Sequence, residues 1–305
     1  TQIEQWKDLN VYSMVQLDRF VAPVTVPHPY KIKNLHRQYR AIPSIGNVFS
    51  HFTYNGILEH HRKADEQKSL KIPGLAFKDI TIIKFPVSKH ESIYKPNTLN
   101  KSNYQVYSSI FTVEFVQKLV QQITKTHKDR FRIGIICPYR AQATLIEKLL
   151  AQQEAGSDKA ELMVGTIHGF QGDECDIIIS LFNPPFNISR SPAMFLNKQN
   201  ILNVSISRAR DYLFILMPDD ATPDVENLYK IKQIENIVHS YAGDRMAVFA
   251  SEEIEEKMFG SKTYVYDNAF ATSHQSVNVY TRPEKKYEVR CEDVAVDVQI
   301  RQEPK

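Results

Sequence analysis

Between residues 131 and 218 apolar runs alternate with segments of helical period, and this rhythm restricts the fold more than any other feature of the chain. "RIGIIC", "LMVGTI", "DIIISLF" and "YLFILMP" are apolar almost throughout. A half-buried antiparallel strand would instead alternate polar and apolar residues. "RAQATLIEKLLAQQ" and "NILNVSISRAR" recur at helical spacing between these runs. Strands buried on both faces and separated by helices predict an α/β, three-layer domain around a mostly parallel sheet.

Upstream, "IPSIGNVFSHFTYNGIL" is expected to be partly helical through Ile45, Val48, Phe49 and Phe52, and "ITIIKF" to be a strand. A short amphipathic stretch spans residues 11–20, followed by three prolines in "VAPVTVPHPY" that enforce an extended path. The polar stretch 86–109 is expected to be a surface loop, with a helix from Ile110 onward and another around 225–241. Beyond residue 242, "TYVYD", "SVNVYT", "KYEVRC" and "VAVDVQI" alternate as antiparallel strands do. The expected division is therefore a main domain at 1–242 and a small β-rich appendage at 243–305.

With 42% hydrophobic residues in 305, the chain can bury one large core or one core plus an appendage. A net charge of +3 is compatible with an anionic partner without requiring one. Cys137, Cys175 and Cys291 form no CxxC pair, which argues against a structural zinc or a disulfide framework and for reduced thiols in a cytoplasmic protein. No apolar segment approaches the roughly 18 residues that span a bilayer, so no membrane partner is expected. The start, "TQIEQWKDLN", lacks methionine and reads as a segment of a longer protein or as a mature, processed product.

Ligands of open parallel sheets bind outside the carboxyl ends of the strands, which directs attention to "CPYRAQ" (137–142) and "GTIHGFQGDE" (165–174). The second concentrates Thr166, His168, Gln171, Gly172, Asp173 and Glu174 before an isoleucine run, more polarity than a turn requires. "SISRAR" (205–210) is expected on a helix, with Arg208 and Arg210 on different faces. "HRQYRAIP" (36–43) adds Gln38, Tyr39 and Arg40. Taken singly, each cluster is also what a solvated turn or basic surface would show.

In order, "QYR…P", "IGIICPYRAQ", "VGTIHGFQGDECDIIIS" and "NVSISRARDYLFIL" resemble the second RecA-like domain of superfamily 1 helicases, over roughly residues 12–220. The similarity is to the branch containing the helicase of nonsense-mediated RNA decay and the replication helicase-nucleases. The resemblance implies a P-loop NTPase-type fold and a site for ATP with Mg²⁺, held mainly by a first RecA-like domain. It implies Arg208 as arginine finger and Arg40 as a second γ-phosphate contact. Tyr39 would stack on adenine, with Gln38, Gly172 and Glu174 beside the nucleotide and Arg210 bracing the loop. Thr166, His168 and Gln171 would couple the nucleotide to a single strand of DNA or RNA. Arg140 would lie near that strand, and Tyr139 is either a strand contact or a packing residue.

Arginine suits such a site because its planar fork stays charged and binds oxygens two at a time. No GxxxxGK[ST] loop occurs in the sequence, nor a strand ending in a "DE" pair for Mg²⁺. The expectation is that this chain supplies the arginine half of an ATP site, has no appreciable ATPase activity by itself, and works with an N-terminal RecA-like domain. A helicase-like binding scaffold is the alternative. "PEKK" (283–286) has a spacing seen in some nucleases but lacks an upstream aspartate on a strand, so the tail is assigned no catalysis.

Overall fold

The computed structural model describes residues 35–89, 93–99, 101–153, 155–170, 172–273, 276–282 and 285–290, with side chains described as far as residue 267. The stretches at 11–30, Gln171, Cys291 and "VAVDVQI" lie outside the described residues.

Six strands form one parallel sheet in the order β10-β3-β9-β8-β6-β7. They are β3 (Ile80–Phe85), β6 (Phe131–Cys137), β7 (Ala160–Thr166), β8 (Cys175–Leu181), β9 (Ala209–Pro218) and β10 (Met246–Ala250). Short β1 (Arg37–Gln38) pairs with β2 (Glu59–His60), and β4 (Pro96–Leu99) with β5 (Ser102–Gln105). The doubly apolar runs become strands because both faces are covered, as the two core clusters show. Ile80, Ile82, Ile136, Ile178, Leu213 and Ile215 pack against α1 (Pro43–Thr53), α4 (Gln199–Ser207) and α5 (Tyr229–Tyr241). Ile83, Ile133, Ile135, Ile177, Ile179 and Phe214 meet α2 (Val106–Thr126) and α3 (Arg140–Gln152) on the other face. The alternation along each strand is the period-two geometry of a pleated sheet. The architecture is a three-layer α/β domain of the kind expected.

The parallel sheet includes β10, beyond residue 242. After α6 (Ser251–Ile254) comes α7 (Tyr264–Asn268), so "TYVYD" is helical rather than a strand. Val265 is fully buried in the α2 and α3 cluster, so tertiary packing overrides the β preference of its neighbours. An antiparallel sheet of β11 (Ala269–Ser273), β12 (Ser276–Arg282) and β13 (Lys285–Arg290) follows.

The stretch 86–109 is not a simple surface loop. It contains the β4–β5 hairpin and the first turn of α2, and buries Ile93, Tyr94, Tyr104 and Tyr107. Part of its polarity is satisfied from α3, where the buried Gln142 amide accepts from the Gln105 backbone N–H at 2.7 Å and donates to Ser109 Oγ at 2.7 Å.

The connection from β7 to β8 determines where the polar loop lies. Both strands pair with β6, one on each side, and all three run in parallel. Residues 167–174 therefore leave the carboxyl end of the sheet and return to its amino end across one face of β6. Eight residues reach at most about 28 Å, against about 22 Å for a seven-residue strand offset by two strand spacings, so the connector has little slack. Phe170 lies on the sheet where Gly134 and Gly165 carry no side chain. A Cβ on Gly134 would stand 2.9 Å from the Phe170 ring and 2.6 Å from Ile178, and one on Gly165 3.0 Å from Phe170.

Candidate nucleotide cleft and strand edge

The arginines gather at the amino end of the sheet. Helix α4 stops at Ser207, leaving Arg208 at its C-cap, and Arg210 is the second residue of β9. The expected single helix carrying both on different faces is thus corrected. Two residues past Ser207 the chain enters the β9 ladder, and the backbone N–H of Cys175 already bonds to the carbonyl of Arg208 at 3.1 Å. The expectation that ligand-facing loops follow the strands is also corrected for this group. Glu174 precedes β8, and Arg208 and Arg210 flank the start of β9.

Arg40 joins them from the turn between β1 and α1. Its Nε donates to Glu174 Oε2 at 3.0 Å and its Nη1 to the carbonyl of Ser207 at 3.0 Å. Arg210 Nη1 donates to Glu174 Oε1 at 2.8 Å. Burial raises the Glu174 carboxyl, but the Arg40 hydrogen bond and the charges of Arg210 and Arg40 outweigh it and hold it below the usual range. Arg40, Arg208 and Glu174 line one cleft of about 550 Å³, with Tyr39, Tyr54 and Leu58 among its walls. Among the described residues no carboxylate pairs with Arg208, and its Nε is buried without a hydrogen-bond partner. Burial, together with the neighbouring charge of Arg40, lowers its pKa. Tyr39 is 61% exposed at the rim, tilted against His61 at 4.6 Å.

The other amino-end residues have structural duties. Gln38 Oε1 accepts from the N–H groups of Arg40 and Ala41, each at 2.9 Å. Its Nε2 donates to the Ala41 carbonyl and to His60 Nδ1, both at 2.9 Å. This amide shapes the turn that presents Tyr39 and Arg40, and Gln38 also lines the cleft. Gly172 has φ +104 in the exposed part of the connector and does not line the cleft.

Sequence reasoning missed Arg62. Nearly buried, it donates from Nη1 to the carbonyls of Arg40 (2.9 Å) and Arg210 (3.2 Å). From Nη2 it donates to the Glu66 carbonyl (2.9 Å) and Asp211 Oδ1 (2.8 Å). It fastens the two arginine-bearing segments to each other from beneath. The residue after Arg210 is an aspartate inside an apolar strand, and that was the available signal.

The remaining predicted residues lie at the carboxyl end, about 20 Å away along the strands. Thr166 closes β7 and accepts from the Gly169 N–H through Oγ1 at 3.3 Å. His168 is exposed, edge-on to Phe195 at 6.1 Å, and Tyr139 tilts against the same ring at 5.8 Å. Burial pushes the Tyr139 hydroxyl well up, opposed by its bond to Asn103. Arg140 opens α3. The structure thus separates the predicted residues into two groups, and the 167–174 connector joins them.

A family model described as "AAA domain" matches residues 17–219, about two-thirds of the chain. This chain belongs to the AAA domain family. Among curated relatives, an AAA domain protein of this kind is similar to "Probable helicase senataxin" of Mus musculus, 28% identical over 181 residues. That match covers 59% of this chain and 6% of the relative. "DNA polymerase alpha-associated DNA helicase A" of Saccharomyces cerevisiae is 25% identical over 219 residues, covering 68% of the chain and 31% of the relative. The AAA domain chain therefore spans only a minor part of these relatives' length. A solved C-terminal domain of a possible DNA helicase from a Lactobacillus strain superposes with TM-score 0.35 at 12% identity, covering 69% of this chain and 98% of that one.

Proposed function

We propose that this chain is the second RecA-like motor domain of an ATP-driven superfamily 1 helicase or translocase. It supplies arginines to an ATP site whose phosphate-cradling loop lies on an N-terminal RecA-like domain. The observation that carries the reading is Arg208. A half-buried guanidinium beside a second arginine, with no carboxylate of its own, is held at a cost that an anion in the cleft would offset. Arg40 and Arg208 approach a triphosphate from one side, while the exposed face of Tyr39 offers a platform for adenine without base-specific hydrogen bonds. Glu174 divides its oxygens between Arg40 and Arg210, so Arg210 braces and Arg40 is positioned.

Bound ATP with Mg²⁺ supplies the transferring phosphoryl group and the metal that neutralises its oxygens. The chain's own groups fit the anion rather than the metal, because among the described residues no three His, Cys, Asp or Glu side chains are grouped to hold an ion. At the carboxyl edge, Tyr139, Arg140, Thr166 and His168 would meet single-stranded DNA or RNA, where stacking and phosphate contacts suffice for a motor that ignores sequence. The free, buried thiols of Cys137 and Cys175 support a reducing compartment such as the cytoplasm. The antiparallel strands at 269–290 are an accessory unit without catalytic assignment.

Steady-state ATP hydrolysis by this chain alone tests the reading. The expected rate is that of buffer, unaltered by Arg208→Ala. Turnover that disappears in Arg208→Ala would mean a complete site within this chain and would overturn the half-site.

A further inference from the structure

We propose that the strand-binding surface extends beyond Tyr139 and His168 onto the β4–β5 hairpin and the 183–198 loop, and ends at Phe186, on which a base of single-stranded nucleic acid stacks. This rests on the proposed strand-binding role of the carboxyl edge and extends it to residues outside the resemblance motifs. Phe186 is 69% exposed, unusual for a phenylalanine on a loop between buried elements. It lines a cleft of about 310 Å³ with Lys95, Asn187 and Lys89, the last paired with Glu252 at 3.7 Å, and among the described lining residues Asp224 is the carboxylate.

The cleft and the predicted edge are built from the same loop and the same hairpin. Phe195, in the same loop as Phe186, touches both Tyr139 and His168. From the hairpin, Asn103 bonds to the Tyr139 hydroxyl and Ser102 Oγ accepts from the Ala141 N–H at 2.9 Å, while Lys95 and Pro96 form the wall beside Phe186.

The charges are segregated as a polyanion requires. Residues 93–107 and 183–198 contain Lys95, Lys101, Arg190 and Lys198 and no acidic residue, in a chain with 38 basic and 35 acidic residues overall. All four basic side chains are exposed, and no ion pair forms on any of them among the described residues. Acidic residues resume in the loop after β9, where Asp220 is already held by Lys84 and Lys232. That loop bounds the surface. Exposed aromatic and basic groups interleaved in this way recognise single strands, the rings taking bases and the cations phosphates.

Anisotropy of a labelled oligo-dT or oligo-U strand on the whole chain tests the proposal. Phe186→Ala is expected to weaken binding about 5- to 150-fold, and to have no effect on an abasic strand of equal length. Lys95→Gln is expected to reduce the salt slope by about 0.7. Both positions are exposed, and circular dichroism checks that the variants fold. If Arg140→Ala weakens binding while Phe186→Ala and Lys95→Gln leave affinity and slope unaltered, the edge binds strands but this extension is wrong. If the wild-type chain binds no strand, the extension and the reading beneath it both fall.

Discussion

Arg40 and Arg210 hold opposite oxygens of one carboxylate, Arg40 Nε at 3.0 Å and Arg210 Nη1 at 2.8 Å from Glu174. One segment comes from the turn before α1, one from the start of β9, and the acid from the end of the connector that crosses the sheet. The relationship ties the nucleotide-facing arginine to the segment that reaches the opposite edge.

Glu174→Gln is expected to lower stability by about 1 kcal/mol at pH 7, since both pairs are partly exposed and screened. The folded-state carboxyl titrates below its unfolded value. Its contribution is therefore present above about pH 4.3 and lost as the pH falls through the folded pKa. Denaturant unfolding over an acid series should show the wild-type advantage in full at pH 7 and shrinking as the pH falls below about 4.3.

Arg62 is the stronger structural test. Arg62→Met leaves Asp211 buried and unpaired and is expected to cost about 3–5 kcal/mol, read as a shift in urea midpoint. Arg62→Met combined with Asp211→Asn should recover part of the loss. A cost below 1 kcal/mol for Arg62→Met would mean that the two arginine segments are held by something else.

Gly134→Ala is expected to destabilise by about 1–3 kcal/mol, because the new methyl would meet Phe170, Ile178 and Cys175 at once. Connector amides at 167–170 should exchange hydrogen faster in this variant. Unaltered exchange there would show that Phe170 does not anchor the crossing.

His60 supplies a pH dependence of opposite origin. Burial, and then the charge of His51, lowers its pKa below 6.5. The neutral ring accepts from Gln38 at Nδ1 and donates from Nε2 to Asn47 Oδ1 at 2.8 Å. A depressed folded pKa means the unfolded state binds the proton more readily. Stability is then full above about pH 6.5 and falls as the pH drops through the folded value, by at most about 1.4 kcal/mol per unit. His60→Gln should remove that slope, and a ring pKa at or above 6.5 by NMR would contradict it.

The sheet was legible from "RIGIIC" to "YLFILMP" because burial on both faces leaves no polar position in a strand. The order of the motifs also marked residues that share the cleft, Gln38, Tyr39, Arg40, Glu174 and Arg208. Three features were not legible. The end of α4 before Arg208 depends on β9 pairing with β8, which is a non-local contact. The hairpin at 96–105 has polar residues whose partners, Gln142 and Tyr139, come from α3 and the loop before it. Arg62 reads as an ordinary surface charge until folding brings three carbonyls and Asp211 around it.

The central claim, that Arg208 and Arg40 await a triphosphate, is tested most directly by following their side-chain Nε–H resonances while ATP is added to this chain. The account predicts that both resonances and the Tyr39 ring shift together along one binding curve, while Arg130, paired with Glu161 outside the cleft, moves little. ATP that binds without moving Arg208, or that shifts residues away from this cleft, would contradict it.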